Sequence, residues 1–292
     1  MIAVLDAAFE WLAEPWRSGL MRLAFAEAVL AGLACGALGC FVLVRRLAFL
    51  GESVSHTVVL GAALALALGL PLGLGAVAIA LTTAGLTGAI ASDRRFSPDN
   101  ATGVLLPTLF GAGVALLALT AGGRRLEELL FGSILGAGAS DVALAGAVVA
   151  AVVVALLLAG QELVLTAFDR SVARALGYRV AALDGLLLAL LAVTTVVGLR
   201  AVGGVLLAGL LLGPPVVARL VCRTFWPMLA VAAAVGAVAG VAGLYLSWHL
   251  ELGAGPAIVL VVTGAVAIAA GWRAVVRVRP GHRREAGPVT AG

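Results

Sequence analysis

Residues 45–61 read Arg-Arg-Leu-Ala-Phe-Leu-Gly-Glu-Ser-Val-Ser-His-Thr-Val-Val-Leu-Gly. The carboxylate of Glu52 and the imidazole of His56 here interrupt a chain that is 63% hydrophobic and only 12% charged. A soluble domain carries about 25% charged residues, so repeated membrane-spanning helices are the only sensible architecture for this composition. No polar stretch is long enough to fold separately, and the sequence predicts one all-α polytopic membrane domain.

Apolar runs of about 17–25 residues, the length that crosses a bilayer, predict about nine transmembrane helices, with eight to ten possible. They lie at 23–44, 54–70, 72–91, 104–121, 142–160, 181–199, 203–216, 225–248 and 256–272. The run at 203–216 is short, and Pro214 and Pro215 predict a break there, as in a half-span leading into a turn. Residues 122–140 have room for a further short or re-entrant helix.

The arginines predict the orientation, because basic loops remain on the cytoplasmic side. If the amino terminus is outside, the cytoplasmic set is Arg45, Arg46, Arg94, Arg95, Arg170, Arg174, Arg179, Arg219, Arg223, Arg273, Arg277, Arg279, Arg283 and Arg284. The outside set is Arg17, Arg22, Arg124, Arg125 and Arg200. We therefore expect an interfacial segment at 1–22, a transmembrane domain at 23–272 and a basic cytoplasmic tail at 273–292.

Several chemistries are disfavoured by the composition. All 19 basic residues are arginine, which excludes a phosphate-binding Walker loop and Schiff-base catalysis. The sequence has no HExxH helix and no GxSxG elbow, so a membrane hydrolase has little support. The pI of about 9.6 indicates loop arginines facing anionic lipid rather than nucleic-acid binding. Cys35, Cys40 and Cys222 form no CxxC pair and are expected to be small buried residues.

Small-residue spacing recurs in three predicted spans, at Gly32/Gly36, Gly209/Gly213 and Gly236/Gly240. Such GxxxG faces allow helices to approach closely, either within one chain or between two copies. Because the chain has 38 glycines, chance matches are common, and tight packing within the chain is the favoured interpretation.

Glu52 and His56 are the strongest candidates for chemistry. Residues four apart lie on the same face of a helix, and a carboxylate with an imidazole supplies half of a divalent-metal site. The alternative is a structural pair at a helix entrance. Since Zn²⁺ or Mn²⁺ takes four to six ligands, the metal interpretation favours a homodimer in which both copies contribute, with Ser53 and Ser55 orienting the ligands.

Other polar residues lie near predicted span ends. His249 and Glu251 indicate either a charged loop or a weak cation-entry site at the outer mouth. Glu27 lies early in the first span and could reach outward to water, and Asp184 lies near Arg179 at the cytoplasmic boundary. Structural ion pairs are the favoured interpretation of both acids.

The stretch 209–220, ending in Arg219, indicates either an ordinary kink or a docking segment for a cytosolic partner. A double proline followed by a short basic helix suits both interpretations equally on physical grounds.

The chain resembles the membrane permease of ABC importers for manganese, zinc and iron over most of residues 20–272. The Arg-rich turn at 44–46 followed by Gly-Glu and Ser-His is similar to that family's signature. Further similar segments follow in the family's order at 99–103, 130–135 with Asp141, 168–177, 202–218 and 255–260. Glu52 stands where the family usually has aspartate. Leu60 stands where many members have proline, which favours the zinc-type members.

The resemblance implies a type II ABC importer-like permease of the plasma membrane that is not itself an enzyme and holds no permanent cofactor. Its cargo would be a divalent metal (Zn, Mn or Fe) passing Glu52 and His56. The implied partners are a second copy of the chain, a cytosolic ATPase dimer docked near 213–223 and an extracytoplasmic metal-binding protein. Coupling to the ATPase is implied for Gly213, Pro214, Pro215, Ala218 and Arg219, and a cytoplasmic loop for Phe168, Asp169 and Gly177.

Two rival classes of transporter follow from the same residues. A permease for iron-siderophore, haem or cobalamin needs a wide apolar cavity and a longer chain, and it does not need the Glu52/His56 pair. An ATP-independent secondary transporter would show internal repeats with paired broken helices, whereas only one broken segment is predicted here. A membrane scaffold would leave the pair unexplained.

Overall fold

The computed structural model describes residues 13–90, 93, 95–120 and 138–278. Within these residues the chain is helical and contains no strand. After a 3-10 turn at Pro15–Arg17, the helices are α1 (Gly19–Val44), α2 (Ala48–Ala67), α3 (Leu72–Ile90), α4 (Pro98–Thr120), α5 (Ala139–Phe168), α6 (Arg170–Ala175), α7 (Val180–Val202), α8 (Gly204–Val221), α9 (Phe225–Leu250) and α10 (Ala254–Val278).

Each of the nine predicted spans coincides with one of these helices, which confirms the all-α polytopic fold. Seven helices of the described chain are long and apolar enough to cross a membrane. The other two, α2 and α8, contain shorter apolar stretches. The predicted re-entrant piece at 122–140 falls almost entirely outside the described residues. The protein is therefore a multi-pass membrane protein.

Helix α1 lies at the centre of the bundle and contacts α9, α8, α5 and α7. A β-carbon on Gly32 would collide with the backbone of Gly236, and one on Gly36 with the backbone of Ala232. Gly240 faces Ala28 in the same manner. The glycines of α1 and α9 thus bring two backbones into direct contact, and the predicted packing role of these GxxxG motifs within the chain is confirmed.

Helices α2, α3 and α4 form a second group, connected to the rest mainly through α7 and α8. Gly61 of α2 and Gly75 of α3 meet backbone to backbone, while Gly113 of α4 lies against the backbone of Leu60. Val54 of α2 and Val196 of α7 belong to one buried cluster. Close approach on three sides therefore fixes the position of α2, the helix that carries Glu52 and His56.

The predicted break at Pro214 and Pro215 is wrong, because α8 continues through both prolines to Val221. Proline at 215 cannot donate to the Leu211 carbonyl four residues earlier. That carbonyl instead faces Gly39 of α1, where a β-carbon would collide with it and would lie 2.7 Å from the Pro215 ring. Packing against a neighbouring glycine accommodates prolines within a membrane helix.

The two ends of the bundle are marked by Arg45 and by Trp16. The Arg45 end holds the last turns of α1, α5 and α8, the first turns of α2, α7 and α9, and all of α6. The Trp16 end holds the start of α1 and the last two turns of α9, where the Trp16 indole donates to the Tyr245 hydroxyl at 2.5 Å.

Candidate functional site

Glu52 and His56 lie on consecutive turns of α2, close to the Arg45 end. The helix starts there because Arg46 adopts the left-handed conformation, with φ 58°, and the Leu47 amide donates to the Val42 carbonyl at 2.9 Å. This is the hydrogen bond of a Schellman motif, which ends α1 and reverses the chain. The tight reversal places both side chains within three turns of the Arg45 end.

The surroundings of His56 suit an ion ligand. Both Glu52 and His56 are half-buried, and the two side chains are close enough to interact electrostatically. The imidazole packs edge-on against Phe110 of α4, with ring centroids 5.4 Å apart. Its Nδ1 is buried and has no hydrogen-bond partner in the described part of the chain. A buried nitrogen left without a partner is costly unless something binds it.

One chain supplies too few ligands for a complete metal site. The described residues contain no group of three or more His, Cys, Asp or Glu side chains that could hold a metal ion. Of the two serines predicted to assist the pair, Ser53 is fully buried, and the side chain of Ser55 lies outside the described residues. Glu52 and His56 are thus an incomplete site within one protomer.

His249 and Glu251 lie at the opposite end of the bundle from this pair. His249 is in the last turn of α9 and stacks on Tyr245 with ring centroids 6.4 Å apart. Glu251 is exposed and ends α9 in the left-handed conformation, with φ 52°. The structure places both residues at the Trp16 end, where the sequence predicts a mouth, and does not join them to the Glu52/His56 pair.

Of the two further acids, Glu27 is buried and Asp184 is partly exposed. Glu27 is only 2% exposed, so the alternative that it reaches outward to water is wrong, because its position on α1 faces the interior of the bundle. The ion-pair interpretation of Asp184 is confirmed. Its partners are Arg45 and Arg170 rather than the neighbouring Arg179.

These partners form a polar cluster at the Arg45 end that sequence analysis did not foresee. Arg45 lies 2.5 Å from Asp184 and donates to the Thr166 hydroxyl at 2.7 Å, while Arg170 donates to the second oxygen of Asp184 at 2.9 Å. Burial lowers the pKa of the Arg45 guanidinium, and the charge of Asp184 counteracts that effect. The cluster joins α1, α5, α6 and α7. The sequence does contain a signal for this cluster, since Asp184 is a carboxylate within a predicted span and such a group needs a cationic partner.

The predicted loop at 168–177 contains the short helix α6. The Asp169 carboxylate caps it by accepting from the amides of Ser171 and Val172 at 2.8 and 3.0 Å. Gly177 ends the segment with φ 83°, a conformation that favours glycine. Phe168 lies before the cap and remains mostly exposed.

Four of the five predicted coupling residues pack against neighbouring helices of the bundle. Pro214, Pro215 and Ala218 are buried, and a β-carbon on Gly213 would collide with Val262 of α10. Because α8 packs against α1 and α10 along this length, these residues serve the interior of the bundle. Arg219 alone among the five is exposed.

These helices and the partly buried Glu52/His56 pair define a membrane-embedded transport protein. A family model described as the ABC 3 transport family matches residues 17–272, and the chain belongs to that family. The resemblance read from the sequence motifs is thereby confirmed.

Individual proteins are similar to this chain over most of its length. The chelated iron transport system membrane protein YfeD of Yersinia pestis is 30% identical over 257 residues, covering 88% of this chain and 86% of the relative. The manganese transport system membrane protein MntC of Halalkalibacterium halodurans is 32% identical, covering 85% and 86%. The solved structure of PsaBC from Streptococcus pneumoniae in complex with Fab superposes with a TM-score of 0.83 at 28% identity, covering 92% and 95%.

Proposed function

We propose that this chain is the permease subunit of an ATP-driven importer that moves a divalent transition metal (Zn, Mn or Fe) into the cell. The observation that carries the proposal is the Glu52/His56 pair, with a buried His56 nitrogen that lacks a partner among the described residues. The relatives named for manganese and iron transport support this cargo class.

Two copies of the chain would complete the metal site. Two carboxylates and two imidazoles give four ligands, which satisfies Zn²⁺ and leaves further positions of Mn²⁺ or Fe²⁺ for water. Oxygen and nitrogen ligands without a thiolate suit a transported ion, because the ion must also leave. The chain itself would hold no permanent cofactor.

The partner ATPase would dock at the Arg45 end, chiefly on α6. Phe168, Val172 and Leu176 lie at the end of α5, on α6 and just after α6, and they expose 62%, 43% and 64% of their surface. A groove of about 490 Å³ is lined by Arg46, Phe168 and Arg219 among others. Exposed apolar side chains next to arginines are typical of a protein interface.

The arginine distribution supports a cytoplasmic Arg45 end and a cytoplasmic carboxyl terminus. We further propose the division into an interfacial segment at 1–22, the permease domain at 23–272 and a basic cytoplasmic tail at 273–292. An extracytoplasmic metal-binding protein would then deliver its ion at the Trp16 end, where His249 and Glu251 would offer a weak entry site.

Chelated iron is the rival cargo, favoured by the name of the Yersinia relative. A bound chelator would satisfy the coordination of its metal, and the Glu52/His56 pair would then have no ligand role. Removing the pair should therefore reduce the uptake of a free metal ion and leave the uptake of chelated iron unchanged.

The test is elemental analysis of metal-limited cells that express the partner subunits with the intact chain, Glu52→Ala, His56→Ala or Gln161→Ala. Gln161 is exposed on α5 and serves as the control. We expect manganese, zinc or iron to fall in both site variants to the level of a deletion strain, at equal protein levels, and to stay normal in the control. Uptake that is unchanged in both site variants would contradict the proposal.

A further inference from the structure

The interface between α2 and α3 contains a line of four buried hydroxyl groups beside the Glu52/His56 pair. This polar seam consists of Ser53 and Thr57 on α2 and Thr83 and Thr87 on α3, none more than 3% exposed. The hydroxyls of Thr57 and Thr83 lie 3.0 Å apart. Each also reaches a carbonyl of its own helix, Val54 at 3.3 Å and Ile79 at 2.8 Å. This half of the seam is satisfied.

The other half of the seam is not satisfied. The hydroxyl oxygens of Ser53 and Thr87 are buried and have no hydrogen-bond partner among the described residues. Hydroxyls in membrane helices ordinarily bond to the carbonyl one turn earlier, as Thr82, Thr108 and Thr195 do here at 2.7–2.8 Å. Ser53 and Thr87 depart from this pattern, and a buried polar group without a partner indicates a bound water or ion.

The two unsatisfied hydroxyls lie at about the same depth. Helices α2 and α3 run antiparallel, and the Thr57–Thr83 contact marks where they meet. Ser53 is one turn from Thr57, and Thr87 is one turn from Thr83, both toward the Arg45 end. Ser53 lies between Glu52 and His56 in sequence, and the His56 Nδ1 lacks a partner in the same part of the chain. Three buried polar atoms thus have no partner among the described residues at the level of the candidate metal site.

We propose that Ser53 and Thr87 bind water that remains on the transported ion as it passes Glu52 and His56, so that the seam selects ions that stay partly hydrated. The proposal rests on the proposed function. Four ligands from two copies satisfy tetrahedral Zn²⁺, whereas octahedral Mn²⁺ needs two more. Water held by the seam supplies these positions, so the seam favours Mn²⁺ over Zn²⁺.

The test compares Ser53→Ala, Thr87→Val and Thr82→Val in the full chain, reconstituted with its partner subunits in liposomes and supplied with Mn²⁺ and Zn²⁺ together. Thr82 is the matched control, because it is exposed and already bonded to the Ala78 carbonyl. We expect the ratio of Mn²⁺ to Zn²⁺ uptake to fall about three- to tenfold in the two seam variants, the factor given by one lost hydrogen bond. The control should retain the ratio.

A second readout is the melting temperature of the same proteins with Mn²⁺ present. If water is bound, Thr87→Val removes a satisfied group and lowers the melting temperature; if nothing is bound, it removes an unsatisfied hydroxyl and raises it. A raised melting temperature, or an unchanged uptake ratio at any melting temperature, overturns the proposal. Failure of the proposed function is distinguishable, because the intact chain would then take up neither ion, or Glu52→Ala would leave the uptake of both ions intact.

Discussion

The guanidinium of Arg45 lies 2.5 Å from the carboxylate of Asp184, although the two residues are 139 positions apart in the chain. Arg45 follows the last residue of α1, and Asp184 lies in the first turns of α7. The Arg45 side chain is only 5% exposed, whereas that of Arg170, the second partner of Asp184, is 53% exposed. One carboxylate therefore makes a buried and an exposed ion pair, whose energies differ.

Asp184→Ala should strongly destabilise the protein, because it leaves the buried Arg45 charge without its partner. Removing one member of a buried pair costs about 3–5 kcal/mol, whereas Arg170→Ala should cost less than about 1 kcal/mol, as exposed pairs do. Thermal unfolding of the purified variants in detergent measures both. Equal losses for the two variants would show that burial does not govern this cluster.

Gly36→Ala should destabilise the α1–α9 contact, since the new β-carbon would collide with the backbone of Ala232. Overpacking of this kind costs about 1–3 kcal/mol. Gly146→Ala in α5 is the control, because no atom of the described residues lies within 4 Å of the added methyl group, and it should gain about 0.5–1 kcal/mol from helix propensity. If Gly36→Ala instead left unfolding unchanged and reduced cross-linking between copies, the glycine face would serve dimerisation.

Most of the fold is predictable from the sequence, and the exceptions have physical causes. Hydropathy places the spans because a bilayer imposes a minimum apolar length, so 225–248 corresponds closely to α9. The double proline predicts a break because proline disrupts an isolated helix. In the structure, Gly39 of α1 leaves room for the turn of α8 that contains the prolines. That partner is 172 to 176 positions away in sequence, and no local pattern shows it.

Glu52 should tolerate aspartate but not glutamine, if its role is to bind a cation. Aspartate keeps the charge on a side chain one methylene shorter, and glutamine keeps the size but removes the charge. We expect Glu52→Asp to retain most of the metal uptake and Glu52→Gln to lose at least about tenfold, since even indirect metal-site substitutions cost that much. Accumulation assays at equal protein level measure this, and comparable uptake by both variants would rule out a charged ligand.

The candidate site is only partly predictable. The i, i+4 spacing of Glu52 and His56 is a local helical property, and α2 does carry both on consecutive turns. The Arg45 cluster and the polar seam depend on contacts between helices, such as Thr57 with Thr83. Single serines and threonines are common in membrane spans, so their sequence positions alone do not indicate which of them lack a partner.

The orientation can be tested by cysteine labelling at the two ends of the bundle. Leu252 lies at the Trp16 end and Tyr178 at the Arg45 end, and each is 41% exposed, so accessibility to the reagent is matched. In a background in which the half-buried Cys222 is replaced by serine, a membrane-impermeant maleimide added to intact cells should label Leu252→Cys. Tyr178→Cys should react only after the membrane is permeabilised, because the excess of loop arginines predicts a cytoplasmic Arg45 end. The reverse labelling pattern would show the opposite orientation in the membrane. Helix α6, the proposed ATPase contact, would then lie on the side that contains no ATP.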